Sequence, residues 1–539
     1  MEAHYATVWE SVADAVPDAP AVVQGVSRRS WSAFEARAAQ LAGALAAAGV
    51  GPGSKVGIFL YNSPEYLEAE FAALKLRAVP VNVNYRYVAD EVSYLLDSAD
   101  AEALVLHSSL GQRLVDVLPR LGQLRIVLEV DDGGPHLAGA DPYEAALAAA
   151  TPAPRVVRSP DDVTMTYTGG TTGMPKGVVG RIGPAVEGLM RTVPALFGRT
   201  PAGSPDDIAG VARSVVDEGQ QHVSLPACPL MHATAMGIGA LPPLLFGGCV
   251  VLLHERHLDV DELWATVERE RVSGITIVGD PFARPMLRAL DDGPSRHLDS
   301  VRLVLSSGAM FSADIKARLL EHLPEALILD FIASTEGAMG LSVSSRGRVA
   351  PTGSFRPGEG VVVLGADGHP VPAGSDEEGV LAIAGGGAER YYKDPETSAG
   401  TFRVVDGRRY TVPGDHARLR TDGTIELLGR GSQCINTGGE KVFPEEVEEA
   451  VKAVPGIDDC LVFGQPDERF GERVVAIASP TAGVEVGVEE ILSAVQEHVA
   501  GYKLPRELVL VETVPRTPTG KADYPAARRL FDDAVSVSD

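Results

Sequence analysis

Helical and strand-like stretches alternate along most of this chain, and that alternation constrains its fold more than any other feature. WSAFEARAAQLAGALAAAG (31–49) has helical spacing and stops at glycine. SKVGIFLY (54–61) follows as an apolar run of strand length. SPEYLEAEFAALKLRA (63–78) predicts a second helix, with Ser63 as N-cap and Pro64 at its first position. VPVNVN (79–84) then reads as another strand, and the rhythm returns in 257–279 and 301–309. Such a succession predicts an α/β fold of mainly parallel sheets covered by helices.

The pattern changes near residue 360. EGVVVLGADGHPVPAG (360–374) and TDGTIELLGR (421–430) read as hairpin strands around Asp-Gly turns. Beyond Arg430 a small α+β unit follows, with helices at 445–454 and 488–501 and strands at 460–467 and 473–480. We place the boundary at Gly431–Ser432, giving an N-terminal domain of 1–431 and a C-terminal domain of 432–539. The stretch 198–222 is rich in turn residues and reads as an irregular excursion, a lid or a disordered insertion.

Charge and cysteine usage exclude several classes. Lys and Arg total 47 against 73 Asp and Glu, a formal net charge of −26 that disfavours a nucleic-acid partner. Cys228, Cys249, Cys434 and Cys460 form no CxxC pair and fit neither a disulfide framework nor a zinc site. The start lacks a signal pattern, and no apolar run reaches the ~18–20 residues of a transmembrane helix, so the expected location is cytoplasmic. The assembly is left open, a homodimer included.

The chemistry concentrates in TYTGGTTGMPKG, Thr166 to Gly177. Pro175 precedes Lys176 and no hydroxyl residue follows it, which excludes the common P-loop. A Gly/Thr-rich turn after a strand remains. Its glycines (Gly169, Gly170, Gly173) let backbone N–H groups converge on an anion. Thr168, Thr171 and Thr172 add hydroxyl donors, and Lys176 a mobile charge.

These residues resemble the adenylate-forming superfamily: acyl-CoA synthetases, aryl-CoA ligases, luciferases and peptide-synthetase adenylation domains. Thr168–Gly177 matches that family's [ST]-[SG]-G-[ST]-T-G-x-P-K-G throughout, and further motifs follow in order. SSGAMFS (306–312), with Gly308 and Ala309, resembles the segment that lies along adenine. IASTEG (332–337) stands where the family has Tyr-Gly-x-Thr-Glu: Ile332, Ala333 and Ser334 fall at the nucleotide. There the resemblance implies that Thr335 contacts the α-phosphate and Glu336 helps hold Mg²⁺. YTVPGD (410–415) implies that Asp415 binds the ribose hydroxyls, joined by Arg430 from LGRGSQCINTGGEKVFPEEVE (428–448). Gly438 and Gly439 would line a pantetheine tunnel, with Lys441 in the same motif. PTGK (518–521) implies that Lys521 engages the carboxylate and α-phosphate.

The resemblance implies a large N-terminal domain with a distorted β-barrel subdomain and a mobile C-terminal domain. It also implies conversion of a carboxylic acid to its CoA thioester, using ATP, Mg²⁺ and coenzyme A, through a bound acyl-adenylate. Two departures bear on ATP use: Ile332 replaces a tyrosine that stacks on adenine, and Ile182 stands where a histidine is common. An enzyme that only thiolates a preformed acyl-adenylate is the alternative they raise.

For the acid, PLMHATAMGIGALPPLLFGG (229–248) resembles the acyl-pocket region, with His232 at its mouth. Ala233, Ala235, Gly237 and Gly239 point to a roomy apolar pocket. Overall the chain is most similar to actinobacterial ligases for steroid side-chain or polycyclic terpenoid carboxylates, including the diterpenoid type of platensimycin biosynthesis. Fatty acids are the alternative substrate class.

Overall fold

The computed structural model describes residues 3–168, 175–196, 198–375, 377–437, 440–467, 471–499 and 501–538. Packing divides the chain into two compact units. One comprises Met1–Ile277, Arg296–Leu305 and Gly387–Ala399; the other comprises Val278–Ser295, Ser306–Gly386 and Gly400–Asp539.

In the first unit the expected alternation produces parallel strands. Val163–Thr168, Val79–Asn82, Lys55–Phe59, Ala101–His107 and Ile126–Val130 lie side by side and parallel. Lys176–Arg181 returns antiparallel on Val163–Thr168, and Arg390–Tyr391 adds to its outer edge. A second group runs Pro20–Gln24, Cys249–Leu252, Val223–Pro226 and Gly274–Ile277, again parallel. Central strands such as Lys55–Phe59 are buried on both faces, which is why they read as continuous apolar runs.

The helices start where their caps dictate. Trp31–Ala47 begins at Ser30, whose hydroxyl accepts the Ala33 N–H at 3.2 Å, and buries Trp31, Phe34, Leu41 and Leu45. Pro64–Lys75 has proline at its first position, although Ser63 makes no side-chain capping bond. Lys75 is fully buried and neutralised by Glu10 at 2.7 Å and Glu35 at 2.6 Å.

Residues 198–222 depart from expectation. Instead of an irregular excursion, Pro205–Asp217 is a helix capped by Ser204 that buries Ile208, Ala212 and Val215. Those positions are four and three residues apart, one helical face. The turn-forming Ser204-Pro205 pair starts this helix; it does not end order.

The larger sheet of the second unit is antiparallel. Its strands run in the order Leu327–Ser334, Gly337–Ser344, Ser354–Pro357, Ile425–Arg430, Asp415–Leu419, Gly379–Ala384, Arg408–Thr411 and Phe402–Val405. The expected barrel does not close among the described residues, because Phe402–Val405 is paired to Arg408–Thr411 alone. Ile425–Arg430 does return on Asp415–Leu419 around Asp422-Gly423, as its turn residues require. The 360–374 hairpin is reduced to one bridge, Leu364 to Pro370, and Val361–Leu364 pairs with Gly379–Ala384. Pro370 and Pro372 supply no N–H for a longer ladder.

The same unit holds a smaller sheet of Ile435–Thr437, Glu440–Val442, Ile457–Asp467, Gly471–Pro480 and Glu507–Leu510. Strand periodicity sends Cys460 and Val462 to one hydrophobic cluster, with Val447, Val451 and Ile491 from two helices. Leu461 and Phe463 go to the opposite cluster, with Ala527 and Phe531 from the terminal helix.

Candidate functional site

The phosphate-loop sequence leaves the first unit's sheet at the carboxyl end of Val163–Thr168, the end at which parallel sheets bind ligands. Gly169, Gly170, Thr171, Thr172 and Gly173 lie outside the described residues; Thr168 and Lys176 are paired across the two strands. Gly177 sits opposite Tyr167, and a Cβ there would lie 2.9 Å from the Tyr167 ring and 3.0 Å from Met165 Sδ. Glycine here leaves room for those two side chains just after the loop lysine.

Lys176 is engaged within the unit. Its ammonium lies 2.8 Å from Asp394 Oδ2 and donates to the Thr397 hydroxyl, with the Tyr391 ring 5.9 Å away. Thr397 also donates its backbone N–H to Asp394 Oδ1 at 3.0 Å. The Lys176 hydrogen bond, aided by Thr397, holds the Asp394 carboxyl down at about 2. Asp394 and Thr397 were not legible beforehand, because the strand pairing at Arg390–Tyr391 delivers them from far along the chain.

The acyl segment lies in the same unit. His232 is half-buried; its backbone N–H reaches Pro229 O at 2.9 Å and Nδ1 accepts the Thr234 N–H at 3.3 Å. Ala233 is also half-buried, and Ala235–Ala240 winds as a π-helix, a form concentrated at functional sites. The small residues here serve two ends. Gly237 is exposed and faces open space, whereas Ala235 is buried and a Cβ on Gly239 would lie 3.0 Å from both Pro226 and Thr276. The expected roominess therefore narrows to Gly237, and Gly239 permits close packing. Ile182 is buried at the start of helix Ile182–Leu196, its N–H bound to Asp162 O at 2.8 Å.

In the second unit, motifs far apart in sequence converge. Ser334 pairs with Gly337, so Thr335 and Glu336 are the two residues of a tight turn, and Glu336 is buried there. Asp415 and Arg430 face each other across neighbouring strands, with Arg430 Nε donating to Asp415 Oδ1 at 3.2 Å. Asp415 is 8% exposed, and its Oδ2 has no hydrogen-bond partner. A buried carboxylate oxygen left unpaired is costly unless a ligand supplies the donor. The Asp415 charge, then Glu336 and Glu445, raise the pKa of Arg430.

PTGK forms a turn: Thr517 N–H donates to Lys521 O at 2.8 Å, and Lys521 N–H to the Thr517 hydroxyl at 3.1 Å. Gly520 at φ 78 lets the turn form, and its missing Cβ leaves room for the Phe282 ring, 2.9 Å from where it would be. Lys521 keeps exposed surface although surrounding protein crowds it. That crowding, then the Arg430 cation, lower its pKa, while Glu336 and Asp415 pull the other way. Glu336, Asp415, Arg430 and Lys521 thus form one cluster of alternating charge.

The remaining expected residues divide. Gly308 stands at φ 95 in an exposed bend beside half-buried Ala309. Ile332 is buried in a core cluster with Met339, Phe355 and Leu381, so its side chain is a packing element of the sheet. Ala333 and Ser334 close the same strand, and the Ser334 hydroxyl is buried without a partner. Gly438 and Gly439 lie outside the described residues; Lys441 is placed by its backbone, opposite Asn436. Sequence reasoning missed Glu445, which accepts the Arg430 N–H at 3.3 Å and is pushed up to about 8 by burial.

Comparison with known proteins identifies the family. The AMP-binding enzyme family model matches residues 9–393, and the AMP-binding enzyme C-terminal domain model matches 446–521. The chain belongs to the AMP-binding enzyme family. It is 38% identical over 538 residues to 3-oxocholest-4-en-26-oate–CoA ligase of Rhodococcus rhodochrous, covering 97% of this chain and 95% of that one. Medium-chain acyl-CoA ligase Mig of Mycobacterium avium is likewise 38% identical, over 97% of both chains. Among solved structures, the anthranilate CoA ligase AuaEII in complex with anthranoyl-AMP matches with TM-score 0.83 at 21% identity, over 98% of this chain and 97% of that one. At that identity the likeness is one of fold. No described helix is long and apolar enough to cross a membrane.

Proposed function

We propose that the protein is an ATP-dependent acyl-CoA synthetase that converts a bulky hydrophobic carboxylic acid, steroid-like or terpenoid, to its CoA thioester through an acyl-adenylate. The observation that carries the reading is Asp415 Oδ2, nine-tenths buried, unpartnered and beside Arg430. A vicinal diol offers two O–H donors to such an acceptor, and Asp415 with Arg430 therefore suits a ribose. Relatives named for steroid and medium-chain acids support the apolar substrate class, and Gly237 opens the acyl segment to space.

In the first step a carboxylate oxygen attacks the α-phosphorus, the α–β P–O bond breaks and pyrophosphate leaves. Two anions must meet, so Lys521 offsets charge at the carboxylate and α-phosphate while Thr335 contacts the α-phosphate. Lys176 would offset charge on the leaving phosphates, with hydroxyl donors from the loop sequence. In the second step the CoA sulfur attacks the acyl carbon and the C–O bond to AMP breaks. Neither step needs a side-chain nucleophile.

Mg²⁺ fits Glu336 as a single buried carboxylate. No group of three or more metal-ligating side chains is present among the described residues, so the nucleotide's oxygens and water would supply the other ligands. When bound, the ion neutralises phosphate charge. The division at Gly431–Ser432 is the proposed hinge, with 432–539 as the mobile domain that presents Lys521 in one orientation and Gly438–Gly439 with Lys441 in the other.

The buried Ile182 side chain supports the reading in which it simply packs and adenylation is intact. A panel of steroid, terpenoid and fatty acids, with acyl-AMP and acyl-CoA scored separately by mass spectrometry, tests the reading. ATP-dependent acyl-CoA from a polycyclic acid is expected. Thioester formed only from supplied acyl-AMP would overturn it.

A further inference from the structure

Two neighbouring parallel strands of the first unit deliver an asparagine at or just beyond their carboxyl ends, and both amides grip the segment leading to His232. Asn62, beyond Lys55–Phe59, donates through Nδ2 to Cys228 O at 3.1 Å and accepts the Leu230 N–H at 2.7 Å. Asn82 ends Val79–Asn82 and grips two segments at once. Its Oδ1 accepts the Tyr167 N–H at 2.7 Å, and its Nδ2 donates to Tyr167 O at 2.9 Å and to Met231 O at 2.8 Å.

The chemistry of that arrangement is specific. Against Tyr167 the side-chain amide acts as a further peptide rung, extending a parallel ladder registered at Val81 and Met165. Its second amide proton is spent on Met231, so three of its four bonding positions are used. The orientation is fixed, because a flipped amide would set oxygen against two carbonyl oxygens. Tyr167 immediately precedes Thr168, where the phosphate loop leaves the sheet, and Met231 immediately precedes His232.

We propose that Asn82 is a positioning residue that locks the start of the phosphate loop and the entry to the acyl segment into one register, making nucleotide and acid binding cooperative. This rests on the acyl-CoA synthetase reading of those segments. Ordering Tyr167 through one ligand prepays part of the cost of ordering Met231 for the other, which is positive coupling between two sites. Asn62 touches only the acyl side and affects acid binding alone.

Calorimetry separates the two. Binding of decanoate and of a 3-oxo-steroid 26-carboxylate is titrated with and without saturating α,β-methylene-ATP. Wild type is expected to bind acid roughly tenfold more tightly with the nucleotide present, within the usual span of coupling. In Asn82→Leu that ratio falls to about one, and both ligands weaken. Asn62→Leu weakens the acid but keeps the wild-type ratio. Should Asn82→Leu not fold, Asn82→Ser removes the fixed amide with less burden. In wild type, acid should also slow amide exchange across Val163–Thr168. An Asn82 variant that retains the coupling, or wild type showing none, overturns the proposal. A failure of thioester synthesis with intact coupling would instead count against the synthetase reading.

Discussion

The two clusters that would face the nucleotide hold their lysines in opposite conditions. Lys176, in the first unit, is already paired with Asp394 and Thr397. Lys521, in the second, sits on a glycine turn with its surface open, beside an aspartate whose second oxygen waits for a donor. On the proposed reading, the first would release an internal partner when phosphate arrives, and the second would be complete but for its ligand. Preorganised charge of the second kind is what transition-state stabilisation demands, because nothing need move at the moment of reaction.

The sharpest way to break this contrast is Lys521→Ala. Adenylation should fall by roughly 10²–10³-fold, as for removal of one preorganised donor, while thiolation of supplied acyl-AMP should change far less. Comparable losses in both half-reactions would refute the division of labour. The pH dependence carries the same signature. Because burial lowers the Lys521 pKa, adenylation should decline on the alkaline side before an ordinary lysine titrates, and thiolation should not.

Next in size is Asp415→Ala, expected to weaken ATP by about 10–100-fold through lost charge-assisted hydrogen bonds, with acid affinity kept. Binding of AMP measured by calorimetry checks it. Loss of acid affinity instead would move Asp415 out of the ribose site.

How much of this was legible follows from distance along the chain. Asp415, Arg430 and Lys521 each sit in a short motif, so local sequence identified them, and antiparallel pairing brought Asp415 to Arg430. Asp394 and Asn82 carry no motif of their own, and Glu445 stands in the 428–448 motif with nothing local to single it out; their roles exist only through partners that the fold supplies. The helix Pro205–Asp217 was obscured because its capping residues are also turn residues. The open antiparallel sheet was invisible for a related reason. Strand patterns show which faces are buried, but not whether the two end strands meet.

Two smaller effects finish the comparison. Asp394→Asn should release Lys176 and change ATP KM by about 2–5-fold, the scale of one partly exposed ion pair; no change would mean that Lys176 is not the phosphate partner. The Asp394 pKa is depressed in the folded protein, so the pair's stabilisation is full above the unfolded carboxylate range near pH 4. It should be lost as pH falls toward about 2. Ile182→His should leave the adenylation rate within about twofold yet lower stability by ~1–3 kcal/mol, by burying a polar ring. Faster pyrophosphate release would revive the idea that a histidine is missing.

The π-wound segment Ala235–Ala240 carries one consequence for how such an acyl site changes over generations. A wide turn holds one residue more than an α-helix needs, so deleting a single residue there shortens nothing essential. The turn would tighten to α-helical winding while the flanking segments keep their register, so the change stays within the segment. The open face at Gly237 would present a different surface to the acid while the sheet beneath stayed in place. On the proposed reading of this segment, substrate range would be exposed to length changes of one codon as well as to substitutions.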